Sequence, residues 1–439
     1  MSSKGLLFIG IFAFCAIGAV FVPYLGIYGY VADYCLNPAD QWWGRPFSRM
    51  GIRFSFILAI STMIGIVLQR KTLKFGEKIL YKQEVFLLIF LAIVWLTFFI
   101  GATTVGRYGS VDHPTVKFTK IVIFSLMMTH VITDLKKLNG LLWVLATVSL
   151  LLGIKAWDVP YRSFVSGRLE GIGGADFSEA NFFAAFMVAM LPFIAVLFLH
   201  SKWYGKIYCF VAGAFTANAV ILCRSRGAFL GLAMGAAAAF FYAPQKHRKN
   251  IIILIIVGSM GVAYLSDNLF IERVISISTD QSQMDEASSS RIRLWKAGAK
   301  MFIDNPLGIG PGNWYQTIGR YIPEYAGKDS HNTYVKCLAE LGALGISVFI
   351  LLLLQTYFSL RKTYISIQCL QPKQSDEFSH YYFAVIVSIV VFLTCSLTIT
   401  TIYTEVLWIL LMLPVCLNRA LDNYLIEKDL QGKGENKVF

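Results

Sequence analysis

Arginine and histidine residues that could bind an anion and move a proton lie between hydrophobic stretches of this chain. Arg224 and Arg226 are two positions apart between two apolar runs, and Arg291 opens an amphipathic stretch. The planar guanidinium group can bind phosphate oxygens through two parallel hydrogen bonds. His331 precedes another apolar run, and a neutral imidazole can accept a proton from a hydroxyl. These residues predict a site for an anionic group with a proton acceptor beside it.

Four further polar side chains are candidates for substrate binding. Arg162 and Arg168 occur in a glycine-containing stretch at 155–179, and Asn181 begins the next apolar run. Asn332 directly follows His331. A glycine-rich loop of this kind suits contact with a substrate, although a plain surface loop is the alternative.

Each candidate also has a structural interpretation. Arginines at a membrane edge contact lipid headgroups, and Arg291 is equally consistent with a solvated charge on its helix. A single histidine at a helix start, such as His331, often has a structural role. Lys336 and Glu340 lie four positions apart on one helical face, so a buried ion pair that orients the helix is their simplest interpretation.

The elements that must position these residues are membrane spans. The chain has 439 residues, of which 56% are hydrophobic and 15% are charged. Soluble domains carry about 25% charged residues, and a span needs about 17–25 apolar residues. We therefore predict an all-α integral membrane protein with about 12 transmembrane helices, near 6–30, 53–69, 84–102, 117–133, 139–154, 180–199, 205–223, 226–242, 251–266, 333–357, 381–399 and 403–419.

Loop charges predict the orientation of these spans. Lysines cluster in alternate loops and in the C-terminal tail, and cytoplasmic loops carry the excess of positive charge. We predict that both termini are cytoplasmic. Residues 1–265 then hold the first nine spans, 266–332 form a large periplasmic loop with short amphipathic helices, and 333–439 hold three spans and a tail. Arginine predominates in the outer loops, which favours a phosphate-bearing ligand on that side.

Several functional classes are excluded. The net charge of +13 arises mainly from loop lysines, which membrane topology explains without nucleic acid. The eight cysteines contain no CxxC pair and do not indicate a disulfide framework. The chain lacks a Walker motif, HExxH, GxSxG and an Asp-x-Asp pair that would hold a metal on a nucleotide sugar. We predict neither a metal nor a cofactor.

Several segments, taken in order, resemble the O-antigen ligase and O-antigen polymerase superfamily of bacterial envelope glycosyltransferases. They are Ser225-Arg226-Gly227 before a Gly/Ala-rich span, Arg291 four residues before Trp295, the run from Asn305 to Asn313, His331-Asn332-Thr333-Tyr334, and Glu340-Leu341-Gly342. The resemblance covers much of the chain and includes its many spans and large late loop. It implies a GT-C-like arrangement of helices.

The resemblance also implies a reaction. Such enzymes transfer a glycan from an undecaprenyl-pyrophosphate carrier to an acceptor hydroxyl, without a metal, at the periplasmic face of the inner membrane. By this resemblance Arg226 and Arg291 would bind the pyrophosphate, and His331 would assist the acceptor. Arg168 and Asn181 also resemble family positions. Attack from the face opposite the pyrophosphate would invert the anomeric carbon.

The expected partners are a lipid-linked glycan donor, a lipid or glycan acceptor, and membrane lipids. A ligase that uses lipid A core or a similar acceptor is the first hypothesis. A repeat-unit polysaccharide polymerase and a protein O-oligosaccharyltransferase remain open, because the shared motifs do not separate them. Outside enzymes, a transporter of lipid-linked glycans would also have about 12 spans.

Overall fold

Helices occupy the apolar stretches. This is expected in lipid, where no water is available and the backbone groups must hydrogen-bond to each other. A computed structural model describes residues 3–71, 73, 78–101, 113–159, 164–165, 167–243, 248–265 and 286–435. Its helices are α1 (Ser3–Phe21), α2 (Pro23–Leu36), α3 (Arg45–Arg49), α4 (Phe54–Leu68), α5 (Lys82–Ile100), α6 (Pro114–Val131), α7 (Leu135–Trp157), α8 (Ala180–His200), α9 (Trp203–Cys223), α10 (Arg226–Tyr242), α11 (Arg248–Leu265), α12 (Glu286–Asp304), α13 (Trp314–Tyr321), α14 (Thr333–Gln368), α15 (Pro372–Cys395) and α16 (Glu405–Glu435).

The chain is a helical protein with several candidate membrane spans. Seven helices in the described ranges are long and apolar enough to cross a membrane: α1, α5, α7, α8, α9, α14 and α15. The helices α4 and α10 are shorter and also apolar. Apart from the first, each predicted span overlaps one helix in the described ranges, and the two amphipathic helices α12 and α13 lie within the predicted late loop at 266–332. The count of 12 spans and the GT-C-like arrangement stay predictions.

Among the seven candidate spans, α8 and α15 are the most deeply buried, and they pack against each other. The hydroxyl of Ser388 donates to the carbonyl of Ala189 at 2.6 Å, which joins them. Glycines four positions apart on α10 face α15, where a side chain at Gly231 or Gly235 would overlap Val391 or its neighbours. The prediction that this Gly/Ala-rich helix packs closely is confirmed.

The first predicted span is wrong, because residues 6–30 form two helices rather than one. The helix α1 ends at Phe21, and Pro23 occupies the first turn of α2, where its ring cannot continue the preceding helix. The two helices fold back on each other, so a Cβ on Gly29 would lie only 2.9 Å from Cβ of Cys15.

This reversal places the two ends of the described chain at opposite ends of the bundle. The ring of Phe8 lies 5.1 Å from that of Trp43 and 4.9 Å from that of Phe54. Near the other terminus, Asn423 donates to the carbonyl of Thr133 at 2.9 Å, at the opposite end of the helices. This placement disfavours two cytoplasmic termini, and the orientation of the chain in a membrane stays a prediction.

The helix α14 is broken at Gly342, although the sequence predicts one continuous span. Gly342 has φ 63° and ψ −161°, which leaves backbone groups on either side without helical partners. The run from Asn305 to Asn313 supplies those hydrogen-bond partners. Ile309 N donates to the carbonyl of Ala339 at 3.0 Å, and Ala343 N donates to that of Pro306 at 2.9 Å. The run from Asn305 to Asn313 and the break at Gly342 therefore form one structural unit.

A small hairpin interrupts the helical pattern within the stretch at 155–179. Strand β1 (Phe164–Val165) pairs antiparallel with β2 (Arg168–Leu169), with Phe164 opposite Leu169. Gly167 lies in the turn with φ 71°, a conformation that glycine adopts readily. This hairpin places Arg168 beside the corner between α9 and α10.

Candidate active site

The corner between α9 and α10 holds Arg224 in a conformation that few residues with a side chain adopt. Arg224 follows Cys223, the last residue of α9, with φ 44° and ψ 46°. Its guanidinium Nη1 donates to the carbonyl of Gly167 in the hairpin. Ser225 then caps α10, because its hydroxyl accepts from Ala228 N at 3.4 Å. The predicted anion-binding corner is thus a pair of helix ends tied to the hairpin.

Arg168 and Asn181 connect this corner to the start of α8. The Nε of Arg168 donates to the carbonyl of Cys223 at 3.1 Å, and its Nη2 donates to Oδ1 of Asn181 at 2.5 Å. The same Oδ1 accepts from the Ser225 hydroxyl at 2.8 Å. The Nδ2 of Asn181 donates to Oε1 of Glu179 at 2.8 Å. Asn181 is buried and hydrogen-bonds to three neighbouring side chains, and its predicted contact with a substrate stays a prediction.

His331 lies beside Glu179, at the edge of this network. Its Nδ1 is 3.6 Å from Oε1 of Glu179, and its side chain is 31% exposed, so the ring is accessible. Its backbone is left-handed with φ 46°, and its N–H donates to Oδ2 of Asp329 at 3.3 Å. The structure therefore brings together His331, Arg168, Asn181 and Arg224, four of the residues that the sequence proposed.

An ion pair fixes the segment that carries His331. The Lys336 ammonium lies 3.0 Å from Oδ1 of Asp329, with side chains only 5% and 17% exposed, and 4.2 Å from the centre of the Tyr315 ring. Burial by itself raises the pKa of Asp329, but Lys336 and the Thr400 hydroxyl outweigh it and lower that pKa to about 2. Asp329, which approaches from the loop, is thus the direct partner of Lys336, and the predicted partner Glu340 remains a second buried negative charge near the lysine.

Glu340 instead supports the late loop and the helix bundle. Its Oε1 accepts from the backbone N–H of Trp314 at 3.1 Å, and its Oε2 accepts from the Tyr403 hydroxyl at 2.9 Å. The carboxylate is fully buried. It therefore holds the start of α13 against α14 and α16, and it does not face His331.

Asn332 caps α14. Its Oδ1 accepts from the N–H groups of Tyr334 and Val335 at 2.9 and 3.0 Å, and its Nδ2 donates to the carbonyl of Leu397 at 3.1 Å. Only 5% of the residue is exposed. Both the oxygen and the nitrogen of its side-chain amide hydrogen-bond to the backbone. Asn332 therefore caps α14, and the substrate contact that the sequence suggested stays a prediction.

The helix α12 brings Arg291 towards the segment before His331. The indole Nε1 of Trp295 donates to the carbonyl of Ser330 at 3.0 Å. Arg291 lies one turn earlier on the same helical face and is half-buried. A side chain on Gly298 would lie 2.5 Å from Val335, so α12 packs closely on α14.

Arg226 and Arg162 are the two remaining residues that the sequence predicts for the site. Arg226 is the first residue of α10, next to the corner at Arg224, and is half-buried. Arg162 lies outside the described residues. Its predicted role in substrate binding stays a prediction.

Sequence reasoning missed Glu179, the acid that faces His331. Several acidic residues occur between 155 and 179, and nothing in their spacing distinguishes this one. The sequence signal that could have identified Glu179 is its position directly before α8, two residues from the candidate Asn181. Only the tertiary structure, which brings the residue before α8 within 3.6 Å of the histidine, shows that it approaches His331.

Comparison with known protein families matches part of the chain. Residues 211–350, roughly a third of the chain, match the profile of a family described as O-antigen ligase. This match supports the predicted resemblance to the O-antigen ligase and polymerase superfamily. The matched region includes Arg224, Arg226, Arg291 and His331. A comparison with curated proteins gave no match.

That family implies, in a broad sense, a glycosyltransferase-like activity with lipid-linked glycans and membrane lipids as the general class of substrate. The predicted resemblance is confirmed at this level. Within the described ranges, no group of three or more His, Cys, Asp or Glu side chains has the arrangement of a metal site.

Proposed function

We propose that this O-antigen ligase-like protein transfers a glycan from undecaprenyl pyrophosphate to an acceptor hydroxyl. The acceptor is lipid A core or a similar glycolipid. The lysine-rich loops favour a cytoplasmic position for one end of the bundle, which places the site at the periplasmic face of the inner membrane.

The chain of contacts between the arginine corner and the histidine carries this proposal. Arg224 and Arg168 converge at the ends of α9 and α8, and Asn181 links Arg168 to Glu179 beside His331. Guanidinium groups suit pyrophosphate, and an accessible imidazole suits a hydroxyl. Two helices also begin here, and their N-termini favour anions. A donor phosphate and an acceptor hydroxyl can therefore meet at one place.

The proposed reaction is a single displacement. The acceptor oxygen attacks the anomeric carbon, and the bond from that carbon to the pyrophosphate oxygen breaks. His331 takes the hydroxyl proton at Nε2, while the bonding pair leaves with undecaprenyl pyrophosphate. Arg226 and Arg291 stabilise the negative charge that develops on the leaving group. Attack from the opposite face inverts the anomeric carbon, and no metal takes part.

Purified protein in lipid nanodiscs, supplied with a glycan on undecaprenyl pyrophosphate, tests this function. Three acceptors are offered separately: a lipid A core, the same lipid-linked glycan as a second copy, and a serine-containing peptide. Mass spectrometry identifies the product. Transfer to the lipid A core supports the ligase. Extension of the glycan or modification of the peptide would instead indicate a polymerase or a protein glycosyltransferase, and movement of donor across the bilayer without transfer would indicate a transporter.

A further inference from the structure

We infer that Glu179 is a positioning residue, which orients His331 so that Nε2 is the atom that accepts the proton. This inference rests on the proposed function, because it assigns the base of that reaction a partner. Glu179 precedes α8, whereas His331 precedes α14, so the pair depends on the packing of two distant segments.

The geometry around the imidazole points to this carboxylate. The Nδ1 of His331 is buried and has no hydrogen-bond partner among the described residues. Oε1 of Glu179 lies 3.6 Å away, just beyond hydrogen-bond distance. Contacts between a catalytic base and its neighbours are often long without substrate and shorten when the substrate binds. A small movement of either side chain would therefore complete an Nδ1–H to carboxylate hydrogen bond.

Asp329, the other acid beside His331, is already committed elsewhere. Its Oδ1 accepts from the Lys336 ammonium at 3.0 Å, and its Oδ2 accepts from the backbone N–H of His331 at 3.3 Å. It therefore fixes the backbone of the histidine and leaves the ring to Glu179.

Glu179 is itself held in place. Its Oε1 accepts from Asn181, which in turn accepts from Arg168 and Ser225. The side chain of Glu179 is 41% exposed, so these contacts, and not burial, restrict it. The same chain of hydrogen bonds thus links Arg168, on the proposed phosphate side, to the orientation of the base.

The chemical consequence concerns the histidine tautomer. A carboxylate that accepts from Nδ1–H leaves the lone pair on Nε2, where it can receive the acceptor's proton. The same carboxylate then stabilises the imidazolium that forms during transfer. This is the general arrangement of a base oriented by a third group.

The variants Glu179→Gln and Glu179→Asp test the inference. Glutamine keeps an oxygen that can accept from Asn181 but removes the charge, so folding and donor binding should be retained. We expect kcat to fall by about 10²-fold, within the range of general-base assistance, with an unchanged KM for the donor. Aspartate should restore part of the rate. Glu324→Gln is the matched control, because that carboxylate is exposed and pairs with Arg293 on the surface.

Nitrogen-15 NMR of labelled histidine supplies a readout that does not depend on transfer. His331 is assigned from the signal lost in His331→Asn. We expect wild-type His331 to be protonated at Nδ1, and the Gln variant to populate both tautomers. If the wild type transfers no glycan but shows this difference, the function fails and the pairing stands. An unchanged tautomer and an unchanged kcat in Glu179→Gln would overturn the inference while leaving the function intact.

Discussion

The Nδ1 atom of His331 lies 3.6 Å from Oε1 of Glu179, which places a carboxylate behind the ring of the proposed base. Both residues directly precede or cap a helix, α14 and α8 respectively. Arg168 joins the pair through Asn181, so the groups proposed to bind phosphate and to accept a proton share one network.

The first prediction concerns the arginines proposed to bind pyrophosphate. Arg226→Lys and Arg291→Lys keep the positive charge but lose the planar fork. A lost hydrogen bond to a charged group corresponds to about 1.5–3 kcal/mol, so each variant should transfer glycan about 10- to 100-fold more slowly. Initial rates at equal protein concentration give the comparison. Arg320→Lys, at an exposed position of α13, is the control and should match the wild type. Unchanged rates in both site variants would remove the phosphate role.

The ion pair below His331 gives a prediction about stability and pH. Asp329→Asn leaves Lys336 without its direct partner, at a cost of up to about 3 kcal/mol because Glu340 still compensates part of the charge. The melting temperature should therefore fall. The folded pKa of Asp329 is lowered from 3.8 to about 2, so its contribution is complete above pH 3.8 and is lost as the pH falls towards 2.

Melting temperatures of the wild type and Asp329→Asn, measured from pH 7 to pH 3, test this sign. Their difference should stay constant down to about pH 4 and then shrink. A difference that disappears between pH 7 and pH 5 would show that the carboxylate is not held in its charged form.

Gly342 gives a prediction about the break in α14. Its φ of 63° and ψ of −161° fall in a region that only glycine adopts easily, and a Cβ there would lie 2.5 Å from N of Gly308 and closer still to the carbonyl of Pro306. Gly342→Ala should cost about 1–3 kcal/mol from backbone strain alone. Thermal unfolding followed by tryptophan fluorescence measures the loss. Gly10→Ala, in open space on α1, should be at least as stable as the wild type.

Metal removal tests the proposed leaving-group chemistry. If arginines neutralise the pyrophosphate, transfer should proceed at the same rate in excess EDTA as in untreated samples. The assay uses detergent-purified protein that has been dialysed against chelator, with magnesium and manganese added back in parallel. A loss of activity that either ion restores would overturn the metal-independent mechanism.

Much of the site can be predicted from the sequence because charged residues are costly within apolar surroundings. Arg224 and His331 stand out for this reason, and the structure places them in one region. The helix-capping chemistry near Asn332 is also recognisable, since asparagine favours this position. What the sequence leaves open is whether such a residue caps a helix or contacts a substrate.

The errors have a common physical cause, which is that local spacing does not reveal tertiary partners. Lys336 and Glu340 satisfy the helical four-residue rule and interact electrostatically, but the direct ion pair of the lysine is with Asp329, which approaches from a loop. Glu179 gains its significance only when the folded chain brings it within 3.6 Å of His331. The reversal at Pro23 was missed because hydrophobicity continues across it, although the proline itself marks a possible helix start.

The rate of glycan transfer by His331→Ala, measured beside donor binding, tests the central claim most directly. General-base assistance is worth about 10²–10⁴ in rate, so transfer to the acceptor should fall by that factor. Donor affinity should remain close to that of the wild type, because the arginines are proposed to bind the pyrophosphate. His331→Asn should be equally slow, since an amide cannot accept the proton. A transfer rate near that of the wild type in either variant would contradict the account.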